Sequence, residues 1–243
     1  LITATNVFAH LDKVKDFLFA CRTVLDINGI IVIENPYLID FIENMEFDTI
    51  YFEHTQYWAV TPLKVLCEQL DLEIINAEKK DIHGGTMRYT IARKGSRHEV
   101  QSSVDFFSKQ EVEMGYTSFD KYKNWTISVN ELANNFKANI DSLKSEGKKI
   151  VAFGASAKGN TLLNYTQTTT DTIDYIIDET PEKIGKYSAG TGIPIYGLDI
   201  LKTDTPDYIV ILAWNFKEVI IKKLIDFGYE GKFIIPIPKF EII

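Results

Sequence analysis

Several features are scarce or absent in the 243-residue sequence, and each absence excludes a class of protein. The two cysteines, Cys21 and Cys67, stand apart in apolar helical patterns, which excludes a disulfide framework and favours a reduced, cytoplasmic setting. No apolar run approaches the roughly 18 residues of a membrane helix, and no signal peptide is visible. We therefore expect a cytoplasmic protein without a membrane partner.

Basic residues are outnumbered by acidic ones: the sequence has 26 Lys and Arg against 34 Asp and Glu, which gives a net charge of −8. Binding to nucleic acid depends on neutralising many phosphates, so we expect no nucleic-acid partner. An anionic small molecule needs only a few local donors and is not excluded. The His, Cys and Asp residues show no metal-ligand spacing, and there is no G-x-S-x-G elbow, so we predict no metal site and no serine-hydrolase site.

The pattern of elements predicts an α/β protein with two α/β regions joined by a helical one. Early in the chain, apolar residues at helical spacing precede "GIIVIENPY", which is typical of a buried strand in a parallel sheet. "LEIINAEKK" and "TMRYTIARK" favour a hairpin-like pair, with His83 exposed in the turn between them. We predict domains at residues 1–94 and 148–243, with a helical connector at 95–147 whose apolar stripe includes Phe106, Phe136 and Ile140.

The last third of the chain alternates short apolar strands with helical stretches. These strands begin at "KKIVAF" and continue through "IDYIID", "IPIYG", "PDYIVILAW" and "GKFIIPIP". Alternation at this spacing is typical of an open, doubly wound parallel sheet of Rossmann type.

The sequence "GASAKGNT" lies between the first of these strands and a helix, where backbone N–H groups and the helix dipole favour an anion. Its small or donor residues are the candidate phosphate ligands: Gly154, Ser156, Lys158 and Thr161. The loop is not a P-loop, because Asn160 stands where that motif has lysine, and Ser156 replaces the second glycine of the dinucleotide fingerprint. A well-packed turn without a ligand is the alternative.

Two further residues are predicted to lie on the same edge of this sheet. Asp178 ends the second strand, where an acidic residue can hold a ribose. Trp214 follows the fourth strand, where it can border a ligand or simply be buried.

In the first region, the four-residue sequence "YFEH" contains Tyr51, Glu53 and His54. Histidine exchanges protons near neutral pH and is the usual general base, but a single histidine among apolar residues is more often part of a core. Asn6 and His10 follow a predicted strand end, at the functional edge of a parallel sheet. The residues alone leave both interpretations open.

Taken together, "ATNVFAHLD", "ENPYL", "FDTIYFEHTQYW", "HGGTMR", "GASAKGNTLLNY" and "GKFIIPIP" resemble the sugar C-methyltransferase family. The resemblance implies an S-adenosylmethionine-dependent enzyme that methylates a carbon of a nucleotide-linked keto-deoxysugar. Members of this family begin with a cysteine-rich zinc-binding segment and a glycine-rich turn for the methyl donor, neither of which is present here. We therefore expect the C-terminal part of such an enzyme: part of a methyltransferase-type sheet, then a Rossmann-like domain, inactive by itself.

The resemblance also implies roles for particular residues. His54 would be the general base, with Glu53 and Tyr51 orienting it or bonding the sugar. Asn6 and His10 would line the same pocket, while Ser156, Lys158 and Thr161 of the glycine-rich loop would hold the nucleotide diphosphate.

Two other classes of function stay open at this point. One is a non-catalytic nucleotide-sugar-binding module, and the other is an NAD-dependent oxidoreductase suggested by the Rossmann-like half. The imperfect glycine pattern and the lack of a hydride-transfer constellation weaken the second.

Overall fold

The computed structural model describes residues 1–82 and 84–243, whose contacts divide them into two compact units. The first unit comprises Leu1–Asn44 and Phe52–Trp125, and the second comprises Met45–Tyr51 and Thr126–Ile243. The short Met45–Tyr51 segment therefore belongs to the second unit although it interrupts the first in sequence. The predicted domain boundaries after residues 94 and 147 stay predictions, and the turn predicted for His83 lies outside the described residues.

The first unit contains a four-stranded sheet in the order β1-β2-β4-β3. Its strands are β1 (Ile2–Thr5), β2 (Ile30–Pro36), β3 (Leu72–Lys80) and β4 (Thr86–Arg93). The predicted hairpin is confirmed, because β3 and β4 pair antiparallel. Strand β2 is parallel to β1 and antiparallel to β4. The prediction that this strand belongs to a parallel sheet is therefore correct only for its pairing with β1.

Five helices begin in the first unit, and they flank a core built from alternate strand residues. The helices are α1 (Val14–Val24), α2 (Leu38–Glu43), α3 (Val60–Glu68), α4 (Ser102–Glu113) and α5 (Phe119–Ser145). Strand register places Ile31 opposite Ile91 and Ile33 opposite Tyr89, and all four side chains are fully buried. Residues two apart on a strand share a face, so this row fixes which face of the sheet is the core.

The start of helix α3 is stabilised by a buried carboxylate that is distant in sequence. Glu111 of α4 accepts hydrogen bonds from the backbone amides of Val60 and Thr61, both at 2.7 Å, and from the Tyr37 hydroxyl at 2.9 Å. The first amides of a helix have no partner within it, and the helix dipole favours a negative charge there. Burial and the adjacent Glu111 charge raise the pKa of Tyr37 far above its usual range, so its hydroxyl stays a donor.

The second unit contains a separate six-stranded sheet in the order β10-β9-β8-β5-β6-β7. The strands are β5 (Ile150–Phe153), β6 (Ile176–Ile177), β7 (Ile195–Tyr196), β8 (Tyr208–Ile211), β9 (Lys232–Ile235) and β10 (Glu241–Ile242). All pairs are parallel except β9 with β10. The prediction of a second, parallel α/β sheet is confirmed, with the edge strand β10 as an addition that the sequence pattern did not indicate.

Helices α6 (Ala157–Tyr165) and α7 (Lys217–Asp226) follow β5 and β8 in this unit. The strand order reverses at β5, because β6 and β7 extend the sheet on one side while β8 and β9 extend it on the other. In open α/β sheets, ligands bind beyond the carboxyl ends of the strands at such a reversal. A ligand site in this unit is therefore expected at the ends of β5 and β8.

The apolar stripe predicted for the helical connector is confirmed in α5, where Phe136 and Ile140 are fully buried. The prediction is wrong for Phe106, which lies on α4 with 59% of its surface exposed. Helical spacing alone could not distinguish the two, since both fit an apolar stripe. Within residues 1–82 and 84–243, no helix is long and apolar enough to cross a membrane.

Candidate functional site

Asn6 and His10 lie just beyond the carboxyl end of β1. Asn6 adopts a left-handed backbone conformation (φ 54°) that ends the strand, and its amide donates to the Glu34 carbonyl of β2 at 2.8 Å. The chain then forms a short 3-10 helix, Phe8–His10, in which Phe8 is buried and the His10 side chain is exposed. Burial of Phe8 therefore fixes the turn that presents His10 at the edge of the sheet.

His54 meets His10 at this edge. The centroids of the two imidazole rings are 4.8 Å apart and the rings are inclined at 63°, edge to face. Thr55 and Gln56 hold the chain around His54 to the 3-10 helix, since the Thr55 amide donates to the Ala9 carbonyl at 3.1 Å and Gln56 Nε2 donates to the Leu11 carbonyl at 2.8 Å. The structure thus brings together two histidines that are 44 positions apart in sequence.

The other residues of the predicted catalytic motif are placed differently. Glu53 is exposed beside His54 in the first unit, whereas Tyr51 is half-buried and belongs to the second unit. Tyr57 was not singled out by sequence reasoning, yet its ring lies edge-on to His54 with centroids 6.2 Å apart. The sequence alone could not single out Tyr57, because "FEHTQYW" contains three aromatic residues and nothing in their order shows which one contacts the histidine.

The glycine-rich loop of the second unit is shaped by packing and by its own hydrogen bonds. Gly154 ends β5 with φ 96°, and a Cβ on Gly159 would lie 3.0 Å from the Leu212 side chain. Ser156 is the N-cap of α6 and accepts from the Gly159 amide at 3.1 Å. Thr161 donates its hydroxyl to the Ala157 carbonyl one helical turn back. The hydroxyl proton of Thr161 is therefore engaged within α6, whereas Ser156 acts there only as an acceptor.

Asp178 follows β6 and is buried against the same loop. Its carboxylate accepts from the amides of Ala155 at 2.7 Å and Thr180 at 2.8 Å, and Lys183 Nζ lies 3.3 Å away. Burial by itself raises the pKa of Asp178, but the Thr180 and Ala155 hydrogen bonds and the Lys183 charge outweigh it and lower the pKa. An ionised Asp178 thus ties the glycine-rich loop to the end of β6.

Lys158, which is predicted to bind phosphate, contacts a carboxylate of its own chain. Its side chain is only 17% exposed, and Nζ lies 3.3 Å from Glu46 Oε2. The same ammonium lies 4.5 Å from the centre of the Trp214 ring, in cation–π geometry. Trp214 itself is buried.

A second carboxylate, that of Asp48, is fully buried and contacts the same Trp214 side chain. Trp214 Nε1 donates to Asp48 Oδ2 at 2.7 Å, while Asp48 Oδ1 has no hydrogen-bond partner among the residues described. Burial raises the pKa of Asp48 to about 6 and the negative Glu46 adds to this, against the opposing Lys158 charge and Trp214 hydrogen bond. Sequence reasoning missed Glu46 and Asp48, since their partners are 112 and 166 positions away.

Neither unit offers a ready metal centre in the described part of the chain, where no three His, Cys, Asp or Glu side chains are grouped to hold an ion. Both cysteines are free thiols and buried.

Comparison with known proteins gives two findings. A sequence model of the C-methyltransferase C-terminal domain matches residues 81–238. The C-methyltransferase NovU of Streptomyces niveus is 29% identical over 246 aligned positions, which cover 100% of this chain and 58% of NovU. The chain therefore spans less than two thirds of the curated relative that it matches.

Proposed function

The chain belongs to the C-methyltransferase family, and from this premise we propose that it forms part of an enzyme that methylates a sugar carbon. The methyl donor is S-adenosylmethionine, as the family implies, and the acceptor is the carbon next to the ketone of a nucleotide-linked deoxysugar. The observation that carries the proposal is the meeting of His10 and His54 beyond β1. Family membership supports the reaction class, and the histidine pair supports the mechanism.

A carbon next to a ketone is not nucleophilic until it loses a proton. We assign this step to His54: the C–H bond breaks, an N–H bond forms on the imidazole, and the electron pair moves onto the ketone oxygen as an enolate. A positioned general base contributes about 10²–10⁴-fold to such a step. His10 and Asn6 lie at the same strand end, and we assign to them the hydrogen bonds that stabilise the developing oxyanion. Tyr51 and Glu53 keep their proposed roles of orienting His54 or bonding the sugar.

S-adenosylmethionine supplies an electrophilic methyl group for the enolate carbon. Among the described residues of the first unit, neither parallel strand runs into a glycine-rich turn that would fit this donor, because β1 ends at Asn6 and β2 at Pro36. We therefore assign no residue of this chain to the donor, and none to zinc.

The test is solvent deuterium exchange at the sugar carbon in the full-length protein, because this reports proton removal without methyl transfer. We expect His54→Ala to bind the nucleotide sugar as the parent does but to exchange about 10²–10⁴-fold more slowly. His98→Ala is the matched control, since its imidazole contacts the Asn28 carbonyl in a different part of the first unit. Exchange at the parental rate in His54→Ala would assign the base to another residue, with His10 as the next candidate. Absence of methylated product from the parent would remove the proposed reaction itself.

The glycine-rich loop of the second unit is a separate candidate position for a nucleotide diphosphate. Its location at the reversal of strand order beside β5 favours it, and binding there without turnover would correspond to the non-catalytic module. Thermal shift with a thymidine-diphosphate sugar, S-adenosylmethionine and NAD separates the classes, because only a true ligand stabilises the protein progressively more as its concentration rises above Kd. Stabilisation by NAD alone would favour the oxidoreductase.

A further inference from the structure

Two segments of the first unit carry the histidine pair, and a set of hydrogen bonds joins these segments directly. The Thr55 amide donates to the Ala9 carbonyl at 3.1 Å, and Gln56 Nε2 donates to the Leu11 carbonyl at 2.8 Å. The Thr55 hydroxyl lies 3.2 Å from the Ala9 carbonyl and 3.4 Å from the Leu11 carbonyl, so its single proton can be shared between them. We call Thr55, Gln56 and the two carbonyls the histidine clamp.

The histidine clamp acts on positions next to both imidazoles. Ala9 and Leu11 are the residues on either side of His10, and Thr55 directly follows His54. Consecutive Cα atoms are about 3.8 Å apart across a planar trans peptide, so a shift of a clamped residue moves the neighbouring histidine with it. The clamp therefore limits the separation of two imidazoles whose ring centroids are 4.8 Å apart.

The two segments also meet through an apolar contact, which is the larger source of their stability. Phe8 and Trp58 are both buried, and their ring centroids are 4.9 Å apart. Burial of large aromatic side chains stabilises a fold more than a single hydrogen bond does, because the net contribution of a hydrogen bond is small. Thr55 is exposed and Gln56 is half-buried, so their side chains add little to the core. Loss of a clamp side chain should therefore leave the segments docked but free to shift.

An aromatic contact restricts the His54 ring itself. Tyr57 lies edge-on to His54 at an interplanar angle of 89°, and it stacks on Phe41 with ring centroids 4.7 Å apart. Phe41 is buried in α2, so Tyr57 rests on a fixed support. Tyr57 thus limits rotation of the imidazole, whereas the clamp limits movement of the backbone that carries it.

We propose that Thr55 and Gln56 are positioning residues, whose side chains fix His54 relative to His10 for proton removal. The inference rests on the proposed function of His54, which it deepens by naming the side chains that hold the base in place. A general base must lie within hydrogen-bond reach of the proton that it removes. Misplacement by about 1 Å can cost about 10²-fold in rate, so a loosened clamp should slow the reaction without removing any group that touches the substrate.

The experiment uses the full-length protein and variants that remove a donor while nearly keeping side-chain size. Thr55→Val replaces the hydroxyl by a methyl group, and Gln56→Met removes the amide donor. Thr55→Ser is the conservative variant, because it keeps the hydroxyl. Thr23→Val and Gln101→Met are the matched controls, since their parent side chains donate to backbone carbonyls elsewhere in the first unit.

We expect Thr55→Val and Gln56→Met each to slow solvent deuterium exchange at the sugar carbon by about 10-fold to 10²-fold, and to lower kcat with KM nearly unchanged. Thr55→Ser and both controls should match the parent. Parental exchange rates in both Thr55→Val and Gln56→Met would overturn the inference, as would equal losses in Thr55→Ser and Thr55→Val. A raised KM with kcat retained would also overturn it and would make these side chains substrate ligands.

Nuclear Overhauser contacts between imidazole protons give a readout that does not depend on activity. With histidine selectively labelled, the parent should show contacts between the His10 and His54 rings, whose centroids are 4.8 Å apart. These contacts should weaken in Thr55→Val and Gln56→Met and persist in Thr55→Ser. The signals of His98, whose ring is held elsewhere in the first unit, show in the same spectrum that this unit is folded.

The two readouts separate failure of the clamp from failure of the proposed function. A parent that does not exchange the sugar-carbon proton, with the expected changes in ring contacts, would remove the proposed function and keep the clamp. Ring contacts of parental strength in both Thr55→Val and Gln56→Met would remove the clamp, whatever the activity. The two positions are independent tests, so either one decides if the variant at the other does not fold.

Discussion

Asp48→Asn should make the folded protein more stable at neutral pH. The substitution keeps the side-chain shape and an oxygen that can accept from Trp214, but it removes a charge that is buried completely. The pKa of Asp48 is raised from 3.8 to about 6 in the folded protein. A tenfold change in a proton-binding constant corresponds to about 1.4 kcal/mol, so the ionised carboxylate lowers the free energy of unfolding by about 3 kcal/mol.

The sign of this effect fixes its pH dependence. Because the folded pKa lies above the unfolded one, the folded state holds its proton more tightly between pH 3.8 and 6. The stability associated with Asp48 is therefore fully present below pH 3.8 and is lost as pH rises to about 6. We expect the advantage of Asp48→Asn to be largest above about pH 6 and to shrink towards zero near pH 4.

Urea unfolding of the two proteins at several pH values from about 4 to 8 measures this difference directly. Asp226→Asn is the control, since its carboxylate is exposed and its loss should change stability by less than about 1 kcal/mol. A variant less stable than the parent near pH 8, or a gain of equal size at both ends of this pH range, would contradict the assignment of a buried, imperfectly paired charge to Asp48.

Two further substitutions test the packing that surrounds the candidate sites. Glu111→Gln should lower the free energy of unfolding by about 1–3 kcal/mol, because an amide replaces the charge that caps helix α3; urea unfolding against the exposed Glu113→Gln checks this. Gly159→Ala should cost about 1–3 kcal/mol through overpacking against Leu212, measured in the same way, and an unchanged unfolding midpoint would show that the side chain yields at little cost.

Much of the fold could be predicted from the sequence because its strands are short, apolar and bounded by turn residues. The hairpin of β3 and β4 and the strand Ile150–Phe153 were predicted nearly to their limits, since period and flanking residues agree there. Strands β6 and β7 are only two residues long, and the sequence predicted longer strands because the residues on either side are also apolar. The edge strand Glu241–Ile242 is too short and too polar to give a periodic signal.

The candidate sites were predictable only in part. The family resemblance singled out His10 and His54, and the structure places their rings together. Nothing near Lys158 in sequence indicated that Glu46 would meet it, because ion pairs across 112 positions leave no local pattern. Periodicity and motif matching describe neighbours along the chain, whereas the partners of Lys158, Asp48 and Glu111 are set by tertiary packing.

The place of the Met45–Tyr51 segment also dictates an order of events during synthesis. The segment leaves the ribosome first, and Trp214, which bonds Asp48, follows 166 residues later. At about 5–20 residues per second, that interval lasts roughly 10–30 seconds. Throughout it Asp48 has no indole to bond, and the β3–β4 hairpin is complete long before the segment can be docked. Translation speed between these two points is therefore a variable that should affect how efficiently the nascent protein reaches its native state.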